Sequence, residues 1–144
     1  MTGPDVWARE RALARLTVAW GLASVGVGVA VATSADPWRR AAGRQTAGWG
    51  AVDLAIAVVA GRLQDRRMRR LPDPYAPEAL GRERVALRRV LVVNTVADLG
   101  YVVLGARLAR DSRPRVAGAG VAIVVQGAFL ALHDGHHAAR VRPS

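Results

Sequence analysis

Residues 90–106 read VLVVNTVADLGYVVLGA, an apolar run from Val90 to Ala106 with a single formal charge, Asp98, near its middle. Such a run, flanks included, is about as long as a helix needs to cross roughly 30 Å of hydrocarbon. It shows no sustained period of two, and barrel strands would be about half as long and would alternate. A helix satisfies every backbone group within one segment, so helix is the expected state. Three further blocks share this character. Leu16–Ser34 carries no charge, Gln45–Gly61 carries only Asp53, and Val116–Leu132 carries none before His133, Asp134, His136 and His137. The expectation is an all-α, four-helix transmembrane bundle of antiparallel up-down topology. Its spans fall at about 16–34, 44–62, 89–107 and 115–134, with a cytoplasmic loop over 63–88.

The remaining composition narrows the function classes. The chain has 144 residues, 51% hydrophobic and 5% aromatic, which suits one domain. It has no cysteine, which excludes disulfide scaffolds, zinc fingers and thiol catalysis. The net charge of +10 comes from 21 basic residues, all arginine, against 11 acidic ones. A balance of that kind ordinarily points to nucleic acid, but these arginines crowd between apolar blocks, so no nucleic-acid partner is expected. Arginines 9, 11, 15, 140 and 142 and nine between Arg62 and Arg89 make 14 on one face; Arg39, Arg40, Arg44, Arg107, Arg110, Arg113 and Arg115 make 7 on the other. The positive-inside rule then puts both termini and the middle loop in the cytoplasm of a cell membrane. The run Arg62–Arg70 reads as topogenic and within reach of anionic lipid headgroups. A competing reading of the first block is a cleavable signal peptide ending near Ala30-Val31-Ala32.

Helix ends are legible. Asp36-Pro37 reads as a cap followed by a first-turn proline. The second helix should run on to Arg70, where Leu71–Pro77, rich in proline, breaks it. Pro77-Glu78 starts the third helix, and Ser112-Arg113-Pro114 turns into the fourth.

The second and third blocks align without gaps, Trp49–Leu54 on Asn94–Leu99, with weaker echoes at Trp20–Ser24 and Gln126–Leu130. Oppositely directed helices carrying one motif would form an inverted pseudo-symmetric pair, as in many transporters. The plainer account is that Ala/Val/Gly-rich helices align passably whatever their history.

Asp53 and Asp98 carry the functional argument. An Asp near the midplane costs about 2.5–3.5 kcal/mol on insertion scales, so both should face the bundle interior. Two carboxyls sharing such a site titrate as a pair. Helical spacing puts Gln45, Trp49 and Asp53 on one face and Asn94, Asp98 and Tyr101 on another, with Thr17, Trp20 and Ser24 lining a stripe of the first helix. Ser24, Asp53, Asp98, Asn94 and Gln126 are expected at similar depth. Interhelical hydrogen bonding, about 0.6 kcal/mol per contact, accounts for Asn, Gln and Ser as glue. Amides would glue as well as the two carboxyls, so these point to binding of a proton, cation or polar solute.

His133 and His137, at i and i+4, could reach one metal ion together with Asp134, or ligate haem. Three His near a helix C-terminus are also favourable dipole partners, and no HExxH pattern is present. Ser24-Gly28-Ala32, Ala47-Ala51-Ala55 and Gly127-Ala131-Gly135 are small-residue ladders for close helix approach. Trp7, Trp38 and Tyr75 are assigned to the interfacial belt.

Gln45…Trp49…Asp53, Asn94…Asp98…Tyr101 and Gly120…Gln126-Gly127-Ala128-Phe129-Leu130…Asp134 together resemble an uncharacterised family of small four-span proteins of the bacterial inner membrane. The likeness covers about residues 16 to 138. It implies the four-helix fold, a domain of unknown function and no catalytic residues. Where such proteins carry an apolar residue before the final Asp, this chain has His133. The expected function is ion or small-solute binding, transport-related, at Asp53, Asp98, Asn94, Gln126, Ser24, Tyr101 and Trp49. One small bundle offers little internal volume, so a permeation path would need a homodimer. The alternatives are a non-catalytic structural subunit or assembly factor of a membrane complex, and a membrane enzyme or metal or haem protein using His133, His136 and His137.

Overall fold

The computed structural model describes residues 5–141, which form α1 (Val6–Ala32), α2 (Pro37–Arg70), α3 (Pro77–Leu108) and α4 (Pro114–Arg140). All four helices are long and apolar enough to cross a membrane. Their starts follow from local chemistry. Asp36 accepts from the Arg39 amide at 2.7 Å, capping α2 ahead of Pro37, and Pro77 and Pro114 occupy the first turns of α3 and α4. α2 stops at Arg70, where the proline-rich 71–76 segment cannot continue it.

α1 starts well before Leu16. Asp5 caps it by accepting from the Ala8 amide at 2.7 Å, and the added turns bury Trp7. Trp7 is 0% exposed, donates from Nε1 to the Pro74 carbonyl at 2.9 Å and accepts Gln64 Nε2 on its own carbonyl at 2.8 Å. It is a core anchor and not an interfacial residue. A tryptophan whose N–H finds a backbone partner is stable in a core, and the loop carbonyl supplies that partner.

Two close pairs, α1 with α2 and α3 with α4, are joined through α2 and α4. Gly28 packs on the backbones of Gly43 and Ala47, and Gly21 on Gly50 and Leu54. The expected Ala47-Ala51-Ala55 ladder is therefore only partly used, since Ala51 and Ala55 are exposed. Glycine permits closer backbone approach than alanine, so α2 is rotated to present Gly43, Ala47 and Gly50 instead. On the other side Gly105 meets Gly120, Gly127 meets the Asp98 carbonyl, and Gly135 meets Thr95. Both sets of contacts run in opposite sequence order. Between α2 and α4, Trp38 pairs with Gly118 and Asp53 with Gln126, in the same order.

Leu13, Leu91, Ala138 and Val141 pack together at the end where Trp7 bonds to Pro74. That end gathers the arginines of 9–15, 62–89 and Arg140; Arg142 lies outside the described residues. Large apolar side chains point outward, among them Val93, Val96, Leu99 and Val103 of α3.

Candidate functional site

α2 and α3 make no close backbone approach among the described residues. The space between them is a cavity of about 860 Å³, walled also by α1 and α4. This corrects the expectation of little internal volume. Four helices packed as two tight pairs, and joined through α2 and α4, leave α2 and α3 standing apart.

Asp53 enters the cavity from α2 and Asp98 from α3, and they are only 2% and 7% exposed. Gln126 of α4 donates from Nε2 to Asp53 Oδ2. Asp98 makes no side-chain hydrogen bond or ion pair among the described residues, where the bonded acids of the cavity are Asp53, Asp134, Glu10 and Glu83. Trp49 and Tyr101 meet edge to face at 5.2 Å between ring centroids, and both line the cavity. Each ring lies on the same helical face as the nearby carboxyl: Trp49 is four residues from Asp53, Tyr101 three from Asp98. Tyr101 and Asn94 are otherwise exposed, reaching the cavity from its open side.

Ser24 does not join this group. It is buried against Gly50 in the α1–α2 crossing and does not line the cavity. A small hydroxyl residue fits a glycine crossing as well as a polar lining, and sequence alone does not separate the two.

His133 and Asp134 do line the cavity, with His133 Nδ1 donating to Asp134 Oδ1 at 2.8 Å. His133 Nε2, His137 Nδ1 and Trp49 Nε1 are buried without a hydrogen-bond partner among the described residues. Among those residues no group of three or more His, Asp or Glu side chains is disposed to hold a metal ion. His133, His137 and Asp134 therefore have no assembled donor set behind a metal reading. Instead His133 continues an aromatic column along α4: Trp20 stacks on Phe129 at 3.8 Å, Phe129 on His133 at 5.8 Å, and His137 meets His133 edge to face at 5.1 Å.

Residues 16–135 match the family of unknown function DUF6992. The chain belongs to that family. The matched range takes in the Asp53, Asp98 and Asp134 carboxyls of the cavity, and the family carries no assigned activity. No curated protein and no solved structure matches the chain.

Four cavity residues outside the expected set stand at the arginine-rich end. Arg67 Nη2 lies 2.9 Å from Glu10 Oε2, and Arg67 Nε lies 3.3 Å from Glu83 Oε2, so one guanidinium bridges α1, α2 and α3. Gln64 lies beside it, bonded to Trp7. A signal for two of them was present. Gln64 lies eleven residues after Asp53, and Glu83 eleven before Asn94, a spacing that returns to the same helical face. Nothing local pairs Arg67 with Glu10.

Proposed function

We propose that this protein is a multi-pass integral membrane protein, a four-span up-down bundle, whose interhelical cavity binds a cation or small polar solute in a transport-related role. One observation carries the reading. In a chain of net charge +10, the cavity is lined by five of the 11 acidic residues (Glu10, Asp53, Glu83, Asp98, Asp134) and by one of the 21 arginines. A pocket lined mainly by one sign of charge, with low-dielectric walls, concentrates ions of the other sign. Buried charge persists where it is paired or serves a ligand, and Asp98 has no protein partner among the described residues.

The membrane reading rests on four apolar helices and on the valines and leucines they turn outward, which lipid would solvate. The arginine excess supports a cytoplasmic side for both termini and the 71–76 connection. The exposed arginines of Arg62–Arg70 are then suited to anionic headgroups. Asp53 and Asp98 entering one cavity from α2 and α3 fits an inverted pseudo-repeat of those helices.

The test uses the full chain in lipid nanodiscs, titrated with sodium, magnesium, zinc or tetramethylammonium. Tryptophan fluorescence reports binding, and unfolding temperature reports integrity. A saturable response that Asp98→Asn abolishes, at unchanged unfolding temperature without cation, is the expected result. Wild-type responses in both Asp53→Asn and Asp98→Asn would reduce the acids to structural glue.

A further inference from the structure

We infer that the cavity is a site for a lipophilic organic cation that enters sideways from the membrane between α2 and α3, an inference that rests on the acidic-cavity reading above. Three observations converge on that chemistry. The first is size: about 860 Å³ is in the range of pockets that hold drug-sized molecules, far beyond the need of a metal ion or proton. The second is the pairing of charge with aromatic faces. Asp98 is 7% exposed, lines the cavity and lacks a protein partner among the described residues, and the Trp49–Tyr101 pair lines the same cavity as Asp98 and Asp53. A carboxylate neutralises a fixed positive charge, and ring faces attract a weakly hydrated cation far better than a strongly hydrated one. The third is the opening. Val52, Ile56, Val90 and Ala97 line the cavity and are themselves exposed, so its wall is interrupted by an apolar rim where the two helices stand apart.

The other approach is obstructed. At the arginine-rich end Arg67 spans from Glu10 to Glu83 and closes α1, α2 and α3 together. A water-soluble ion arriving from that end would have to pass this bridge, whereas an amphiphilic cation already dissolved in the bilayer meets the apolar rim first. Its charged group then reaches Asp98 and Asp53, while its apolar part stays against Val52, Ile56 and Val90.

The deciding experiment measures equilibrium binding of tetraphenylphosphonium to the full chain in nanodiscs. Tetraphenylborate serves as the same-shaped anion and tetramethylammonium as the small cation. Saturable tetraphenylphosphonium binding, weakened about tenfold or more by Asp98→Asn, with no saturable tetraphenylborate binding, is expected. Ala97→Trp fills the rim. It should remove tetraphenylphosphonium binding while the unfolding temperature stays as in the wild type. Equal binding of the phosphonium and the borate overturns the inference, because lipophilicity alone would then explain it. Binding of tetramethylammonium or metal ions only also overturns it, yet leaves the acidic cation site standing. No response to any cation sinks both. Undiminished phosphonium binding in Ala97→Trp overturns the sideways route.

Discussion

The Gln126 side chain of α4 donates its amide proton to the Asp53 carboxylate of α2, tying the two helix pairs together at the depth of the cavity. That bond gives Asp53 one partner and leaves the rest of its carboxylate facing the space shared with Asp98. Removing only the donor strands a buried acceptor. Gln126→Leu should therefore destabilise the bundle by about 1–3 kcal/mol, while the double variant with Asp53→Leu recovers part of the loss. Equilibrium unfolding in mixed micelles measures both. A double variant as unstable as the sum of the singles would mean that the bond is not what joins the pairs.

Trp7 is sealed between Gln64 and Pro74, whereas Trp38 is 36% exposed. Trp7→Ala should cost about 3–5 kcal/mol, the usual range for emptying a large buried aromatic site. Trp38→Ala should cost far less. Comparable losses from the two would contradict the anchoring role of Trp7.

Glycines divide by what surrounds them. A side chain on Gly28 would press into the backbones of Gly43 and Ala47, while Gly48 has nothing within 4 Å. Gly28→Leu is expected to destabilise by at least about 1–3 kcal/mol through overpacking. Gly48→Ala should be neutral or stabilise by up to about 1 kcal/mol, through helix propensity alone.

Two carboxyls outside the apolar stretches respond to pH with opposite sign. Burial pushes the Glu10 carboxyl above its usual value, Arg67 opposing this and Glu83 adding to it. A raised folded-state value means that the folded chain holds this proton more tightly. Its contribution to stability is then present below the ordinary glutamate value and lost as pH rises through the folded one. Asp111 is held down to about 2 by hydrogen bonds from the Arg113 side chain and backbone amide. Its contribution is present above the ordinary aspartate value and lost as pH falls toward about 2. Carboxyl-carbon NMR titration should place the Glu10 midpoint above, and the Asp111 midpoint below, those of reference peptides. Glu10→Gln should flatten the first dependence, and Arg113→Ala should return Asp111 toward the ordinary value.

The absence of cysteine makes single-cysteine labelling clean. In intact cells a membrane-impermeant maleimide should label Ser112→Cys and leave Arg69→Cys unlabelled until the membrane is broken. The reverse pattern would invert the orientation argued from the arginines.

Much of this architecture is legible in the sequence. Uninterrupted apolar runs specify four long helices because only intrasegment hydrogen bonding satisfies a backbone among apolar surroundings. Asp36-Pro37 and Pro77 mark helix starts, and the 71–76 prolines the break between α2 and α3, through local sterics. That Asp53 and Asp98 face inward is the outcome expected where exposing a carboxyl to apolar surroundings is costly. The rotation of each helix is a different kind of quantity. It depends on which small residues of two helices allow the closest approach together, so Gly43 and Gly50 displaced Ala51 and Ala55 from the contact. Ser24 went with them into a crossing. For the same reason the gap between α2 and α3, the Arg67 bridge from Glu10 to Glu83 and the burial of Trp7 under Pro74 were decided only by tertiary structure. Hydropathy along one chain sets length and period, but the azimuth of a helix is a property of pairs.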